Sequence, residues 1–311
     1  MDIEITKKDG TTFRLSDYNI QVADIKVQGI ETTDKYQEFE GCHGRQLTSS
    51  VYHKRKILVP VFFIAENNLD YSLQRDFLFQ LIQDNEPFYL RELRKYNKSS
   101  YKFKDTIEDE YQEVDKNGNC IFNDNDNVYV NGYHFLVKLS NKLIPNQTNN
   151  KCNVELEFET TELPFAESIN TSLQLHYSSI DGNWSSDMDI DFDEKSKQTY
   201  IFENISKGKV FYHGTVANNQ FNMYKKVTIV VGKETDKFTW NLSDSKVMTV
   251  KNTLLLPGDV LVYDNLNIKK NGVIINRKSN IEMPKFSPGF NNFTFNQNVK
   301  KVMFDLRFYK K

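Results

Sequence analysis

Residues 47–65 read LTSSVYHKRKILVPVFFIA, and the character of this stretch changes halfway along. Side chains alternate across an extended strand with a period of two. Val51, His53, Arg55, Ile57, Val59, Val61 and Phe63 therefore share one face, while Tyr52, Lys54, Lys56, Leu58, Phe62 and Ile64 share the other. Up to Lys56 both faces are largely polar, and from Ile57 onward both are apolar. Such a strand cannot bury its first part in its own sheet. It reads as an arm at one end that enters a core at the other, with free backbone groups suited to completing a neighbour's sheet.

Downstream, Asp70, Tyr71 and Ser72 precede Leu73, Phe77, Leu78, Leu81 and Ile82, whose spacing places them on one stripe of an α-helix. Asp70 or Ser72 is the expected cap, and Phe77 the expected central anchor. Asn85-Glu86-Pro87 ends the helix, because proline cannot continue its hydrogen bonding, and Phe88-Tyr89-Leu90 begins the next strand. A helix this short is not stable alone, so its stripe is expected to cover a sheet. Upstream, Ile3 and Ile5 alternate with polar residues, Asp9-Gly10 makes a turn, and Phe13 and Leu15 alternate again, which is a hairpin signal. Farther on, Asn131-Gly132 between Tyr129 and Tyr133 reads as another hairpin turn, before Val154, Leu156 and Phe158 alternate.

Beyond residue 170 no trusted helix period occurs. Short alternating runs (Leu173, Leu175 and Tyr177; Val227, Ile229 and Val231; Phe238 and Trp240; Val260 and Val262; Phe293 and Phe295; Val302, Phe304, Leu306 and Phe308) are separated by turns such as Pro257-Gly258-Asp259 and Asn271-Gly272. That is the pattern of a β-sandwich or jelly roll. The expected architecture is mainly β: an N-terminal β-sandwich with one amphipathic helix and an extended β arm over residues 1–165, then a second β-sandwich over residues 166–311.

The length of 311 residues suits two domains. Only 39% of residues are hydrophobic, but 23 Phe and 16 Tyr supply large units of burial and argue for a folded chain. Forty Lys and Arg against 42 Asp and Glu leave a formal charge of -2, so sequence-specific nucleic-acid binding has no electrostatic source and is not expected. His53-Lys54-Arg55-Lys56, the compact basic cluster, reads as a solvated strand face. The longest apolar run, residues 57–65, is about half of what a spanning helix needs and contains Pro60, so membrane insertion is not expected. The opening MDIEITKKDG is polar and charged, without an apolar h-region, so secretion is not expected. Cys42, Cys120 and Cys152 have no paired spacing and fit a reducing compartment.

Chemistry is sparse. Cys42 beside His43 lacks convergent partners for a metal or thiol site, and His53, His134, His176 and His213 are isolated. Asp115-Lys116-Asn117-Gly118-Asn119 starts like a calcium loop, but Cys120 stands where glycine is wanted and Asp126 where glutamate is. Asp187, Asp189, Asp191 and Asp193 form either a carboxylate ladder for a cation or an acidic edge strand, and the edge strand is the simpler reading. No phosphate-loop, dinucleotide, zinc-protease or nucleophile-elbow motif is present. Neither a cofactor nor catalytic or metal-binding residues are expected.

Gly41-Cys42-His43-Gly44-Arg45 running into Tyr52-His53-Lys54-Arg55-Lys56-Ile57, then Asp70-Tyr71, the helix at residues 75–82 and Glu86-Pro87-Phe88-Tyr89-Leu90 follow in an order that resembles a known family. Leu156-Glu157-Phe158-Glu159, Leu163-Pro164-Phe165, Leu256-Pro257-Gly258-Asp259, Asn271-Gly272 and Pro288-Gly289-Phe290-Asn291 continue the likeness over most of the chain. The family is the distal tail protein (Dit), the siphophage tail component of phages infecting Gram-positive bacteria. The stretch at residues 105–127 is longer than the family needs, and Phe290 stands where a Trp is common.

The resemblance implies a structural virion protein without an active site, made in the host cytoplasm and placed at the distal end of the tail. It implies a ring of six first domains bonded through an extended β belt, with a galectin-like second domain facing outward. Its implied partners are further copies of itself, the tail tube protein, the tail-associated hub protein and receptor-binding proteins, with the tape measure protein as an additional contact. Gly44, Arg45, Tyr52, Lys54 and Arg55 are the candidate oligomer-interface residues. The competing reading is a carbohydrate-binding, lectin-like module, for which Trp184, next to Gly182-Asn183, is the aromatic expected to be exposed; a cell-wall hydrolase ranks below it.

Overall fold

The computed structural model describes residues 1–95, 127–177, 183, 184, 188, 190, 194–243 and 245–311. In its first part the chain forms β1 (Asp2–Thr6), β2 (Thr12–Arg14), β3 (Gln21–Val22), β4 (Lys26–Val27), β5 (Glu31–Gln37), β6 (Gln46–Lys54), β7 (Lys56–Ile64) and α1 (Asn68–Ile82). It continues with β8 (Phe88–Lys95), β9 (Asn127–Tyr129), β10 (Tyr133–Leu139), β11 (Asn146–Thr148), β12 (Lys151–Thr160) and β13 (Ala166–Ser168). These strands curl into one sheet in the order β2-β1-β8-β10-β12-β7-β3, while β5 and β6 pair only with each other.

The centre of this sheet follows from the apolar half of the quoted stretch. Ile57, Val59, Val61 and Phe63 of β7 are at most 2% exposed. They oppose Phe158, Leu156, Val154 and Cys152 of β12 in antiparallel register, so a ladder of apolar pairs runs along the inner face. The expected Asp9-Gly10 hairpin is present, with Gly10 in the left-handed region at φ 89° and Ile5 opposite Phe13.

Three expectations change here. Asn131-Gly132 does not turn a hairpin, because β9 and β10 both pair antiparallel with β8, one after the other. The dipeptide breaks a single line of pairing, and Gly132 is needed because a Cβ there would lie 1.9 Å from the Asn183 carbonyl oxygen. On α1, Tyr71, Leu78 and Ile82 are the buried residues, whereas Leu73 is 71% and Phe77 41% exposed, so Phe77 is not the core anchor. The physical reason is the ring of Tyr71, which packs 5.6 Å from Phe63 and turns the helix so that the face carrying Leu69, Leu73 and Phe77 looks outward. The cap is Asn67, not Asp70 or Ser72: its side-chain oxygen accepts from the Leu69 and Asp70 amides at 2.9 and 3.0 Å.

The second part comprises α2 (Ser172–Leu175), β14 (Ile201–Tyr212), β15 (Lys225–Val230), β16 (Thr235–Leu242), β17 (Met248–Leu255), β18 (Val260–Asp264), β19 (Asn267–Lys270), β20 (Val273–Ile274), β21 (Gly289–Leu306) and β22 (Tyr309–Lys310). Its sheet runs β17-β16-β21-β15-β18-β19-β20, with β14 also on β21. The early half of β21 pairs with β16 and its late half with β15, so this long strand curls the sheet around a core that includes Trp240, Tyr263, Phe293 and Phe304. Asn271 and Gly272, at φ 47° and 85°, make the expected turn between β19 and β20.

Two readings of this part are also corrected. Leu173, Leu175 and Tyr177 do not form a strand; Thr171 and Gln174 cap a single helical turn, and Ser172 Oγ ties it to β21 at Phe304 and Leu306. Trp184 is 0% exposed and packs 6.0 Å from the Phe308 ring, so the exposed sugar-stacking aromatic of the lectin reading is a core residue. The calcium-like loop at residues 115–126, Cys120 and the aspartates at 187, 189, 191 and 193 lie outside the described residues.

The two sheets are stitched by short strands. β13 pairs with β10 on one side and with β22 on the other, so the final strand of the chain is held against the first sheet.

Candidate functional site

The arm anticipated from residues 47–56 is a two-stranded ribbon. β6 pairs with β5 from Gln37↔Gln46 to Glu31↔Lys54, with irregularities that coil it between Glu31 and Thr32 and between Lys35 and Tyr36. Every residue of β5, and every residue of β6 before Lys54, is exposed. Gly41 and Gly44 adopt φ 80° and 88° in the connecting loop, a conformation that favours glycine and reverses the chain.

The candidate interface residues fall into three places. Gly44 and Arg45 lie at the tip, where the Arg45 guanidinium stands 3.8 Å above the Tyr36 ring. Tyr52 and Lys54 sit at the root: Tyr52 meets Phe165 edge-on at 5.6 Å, with the Lys311 ammonium 4.7 Å above its ring. Lys54 Nζ donates to Glu159 at 2.8 Å, which raises its pKa. Arg55 departs from the expected exposed face. It is 8% exposed, its amide donates to Thr160 Oγ1 at 3.0 Å, and its guanidinium lies 5.6 Å from the Phe135 ring. Burial pulls its pKa down. Arg55 is the hinge at which the ribbon leaves the sheet.

What the sequence did not reveal is the second strand of the ribbon. Glu31–Gln37 is too charged to read as a strand, and Thr32 and Thr33 are its main β-branched signal. Tyr36, Phe39, Leu47 and Val51, between 44% and 58% exposed, give the arm an apolar component scattered among charges. The paired glycines at 41 and 44 are the signal that would have found the hairpin. At the root, a cavity of about 200 Å³ between residues 50–53, residues 162–165, Gln220 and Asn222 separates the arm from the second sheet.

Among the described residues no group of three or more His, Cys, Asp or Glu is placed to hold a metal ion. Cys42 is exposed on the arm loop and Cys152 buried in β12, both as free thiols. His213 is 5% exposed and spends its Nε2 on the Lys197 carbonyl at 3.1 Å. No helix among the described residues is long and apolar enough to cross a membrane.

Comparison with known proteins gives this geometry a context. Residues 8–160 match the model of the phage tail protein RIFT-related domain, a span that contains the arm, α1 and all of β12. No curated protein matches the sequence. Among solved structures, the Dit (gp 19.1) protein of SPP1, described as a paradigm of the hub adsorption apparatus in Gram-positive infecting phages, superposes with a TM-score of 0.60 at 11% identity, covering 98% of this chain and 99% of that one. The baseplate of phage p2 in its activated conformation with Sr aligns at a TM-score of 0.36 and 9% identity, over 98% of this chain and 97% of that one. The phage tail domain signature in the first half and the fold of the SPP1 Dit protein along the whole length thus meet in one chain.

Proposed function

We propose that the protein is the ring-forming hub of the distal tail, a hexamer in which the β5–β6 arm of each protomer seals the contact to the next. The observation that carries this reading is the arm itself. An isolated two-stranded ribbon is marginal in water, yet this one leaves its sheet with nearly every residue exposed. A second surface is what its free edges and its apolar side chains Tyr36, Phe39, Leu47 and Val51 lack. A closed ring joins unlike patches head to tail, and each contact needs about 1,000 Å² to persist.

In this reading residues 1–165 form the ring domain and residues 166–311 an outward, galectin-like docking domain. The ring joins the tail tube protein to the tail-associated hub protein, the outer domains hold receptor-binding proteins, and no step of catalysis is involved. Light scattering over a concentration series tests it. The intact chain should give a discrete species of six protomers, and a chain with residues 33–50 replaced by a two-residue turn should be a folded monomer. A strict monomer at high micromolar concentration, or a ring that survives loss of the arm, overturns the proposal.

A further inference from the structure

The junction between the two sheets holds a nearly enclosed polar cluster that the assembly reading does not use. His134 of β10 and Glu167 of β13 are direct cross-strand partners. His134 Nε2 lies 3.4 Å from Glu167 Oε1, long for a hydrogen bond, and only 11% and 15% of the two side chains is exposed. The Tyr89 ring of β8 stacks on the imidazole at 4.0 Å between centroids and 14° between planes. Arg307, in the short link between β21 and β22, donates to the same Glu167 oxygen. The Tyr89 hydroxyl is near enough to Arg307 and Glu167 to interact with both electrostatically, which closes the cluster. Arg91 of β8 is the remaining charge that faces His134, and its guanidinium donates to the Asn131 carbonyl at 2.9 Å.

This cluster sits on two of the short ladders of the fold. β13 contributes two paired positions to β10 and two to β22: Tyr133↔Ser168 and His134↔Glu167 on one side, Ala166↔Lys310 and Glu167↔Tyr309 on the other. Ladders so short open at low cost compared with a whole sheet. Glu167 is already neutralised by Arg307, so a proton on His134 would add an unmatched cation next to Arg307 and Arg91 in a site with little water.

We propose that this cluster is an acid-sensitive latch: neutral His134 keeps β13 and the terminal strand β22 clamped to the first sheet, and its protonation releases them while both sheets stay folded. The proposal goes beyond the assembly reading and does not depend on it. Burial, with Arg307 and Arg91 adding to it, lowers the pKa of His134 despite the nearby Glu167 carboxylate. Burial by itself would raise Glu167, but His134 and Arg307 hold it below its ordinary value. For a histidine lowered in the folded state, the stabilisation is full above its unfolded pKa of about 6.5. It is lost as the pH falls from there through the folded value.

Hydrogen–deuterium exchange of the full chain, corrected for the intrinsic pH dependence of exchange, tests this between about pH 7.5 and pH 4. Peptides over residues 166–168 and 307–310 should lose protection by about fivefold or more on acidification, while peptides over residues 227–231 keep theirs. His134→Phe retains the stacking on Tyr89 and His134→Gln retains a polar partner for Glu167, and neither can take up the proton. In each variant that folds at neutral pH the acid loss should vanish. The latch is overturned if the junction shows no loss, if both sheets lose protection together, or if the loss persists in these variants.

Discussion

β6 and β7 are consecutive strands of one extended segment, yet they belong to different physical regimes. β7 places Ile57, Val59, Val61 and Phe63 against β12 and is bonded on both sides, by β12 on one and by β3 and β4 on the other. β6 has β5 as its one strand partner, and it meets the core at its root, where Tyr52 packs on Phe165. The change falls at Arg55, whose backbone bonds Thr160 in both directions, amide to Oγ1 at 3.0 Å and carbonyl to the Thr160 amide at 3.0 Å. The lesson is that extended backbone alone does not make a core strand. What decides is whether the side chains on one face find an apolar surface.

That contrast yields its largest expected effect at Phe63, which is 1% exposed and packs on Tyr71 of α1. Phe63→Ala should cost about 3–5 kcal/mol in chemical denaturation. Val51→Ala, on the arm at 58% exposure, should fall within about 0.5 kcal/mol of wild type in the monomer. Equal losses at the two positions would erase the distinction between the regimes.

The helix sharpens it next. Leu78 is 0% exposed, whereas its neighbour Phe77 rests on Tyr18 at 5.2 Å on the surface. Leu78→Ala should cost about 2–5 kcal/mol, and Phe77→Ala about 1 kcal/mol. A reversal of that order would mean the helix is rotated toward the orientation that the sequence spacing suggests.

Much of this architecture was legible because burial writes a period into the sequence. The alternation of residues 57–63, the Asp9-Gly10 and Asn271-Gly272 turns and the sandwich-like second half are each dictated locally. The failures were tertiary. Five apolar residues at helical spacing on α1 define a stripe wider than the face a sheet covers, and only the neighbour Tyr71 decides which edge is buried. Asn131-Gly132 carries strong turn chemistry, but the approach of Asn183 and the continuous pairing to β8 assign it to a break within one line of strands. Trp184 beside a glycine and an asparagine looks exposed, and Phe308 from the far end of the chain buries it. At the candidate site the arm was legible from the polar half of the quoted segment, while β5 was hidden because an exposed strand needs no apolar period. The latch residues His134, Glu167 and Arg307 are distant in sequence and are joined only by the pairing of β10, β13 and β22.

A smaller effect is expected at the start of the helix. Asn67→Ala removes the oxygen that accepts the Leu69 and Asp70 amides and should cost about 1 kcal/mol, visible as a lower denaturation midpoint with an unchanged slope. Ser72→Ala, one turn inside the helix, should leave the midpoint in place.

The smallest global effect should come from the arm's own turn. Gly44 sits at φ 88° with nothing within 4 Å of where a Cβ would go, so Gly44→Ala meets no clash and only the strain of a left-handed backbone, about 1 kcal/mol. Because the ribbon meets the core at its root, at Tyr52 and Phe165, and Gly44 lies at its far tip, that strain should not reach the cooperative unfolding transition. It should appear as faster hydrogen exchange along β5 and β6, with the exchange of β7 and β12 unaltered. If the ring of the proposed assembly clamps the arm, the same substitution should weaken assembly far more than it weakens the fold, so light scattering and thermal melting of Gly44→Ala should part company. A thermal midpoint that falls in step with loss of the ring would show instead that arm and core unfold as one unit.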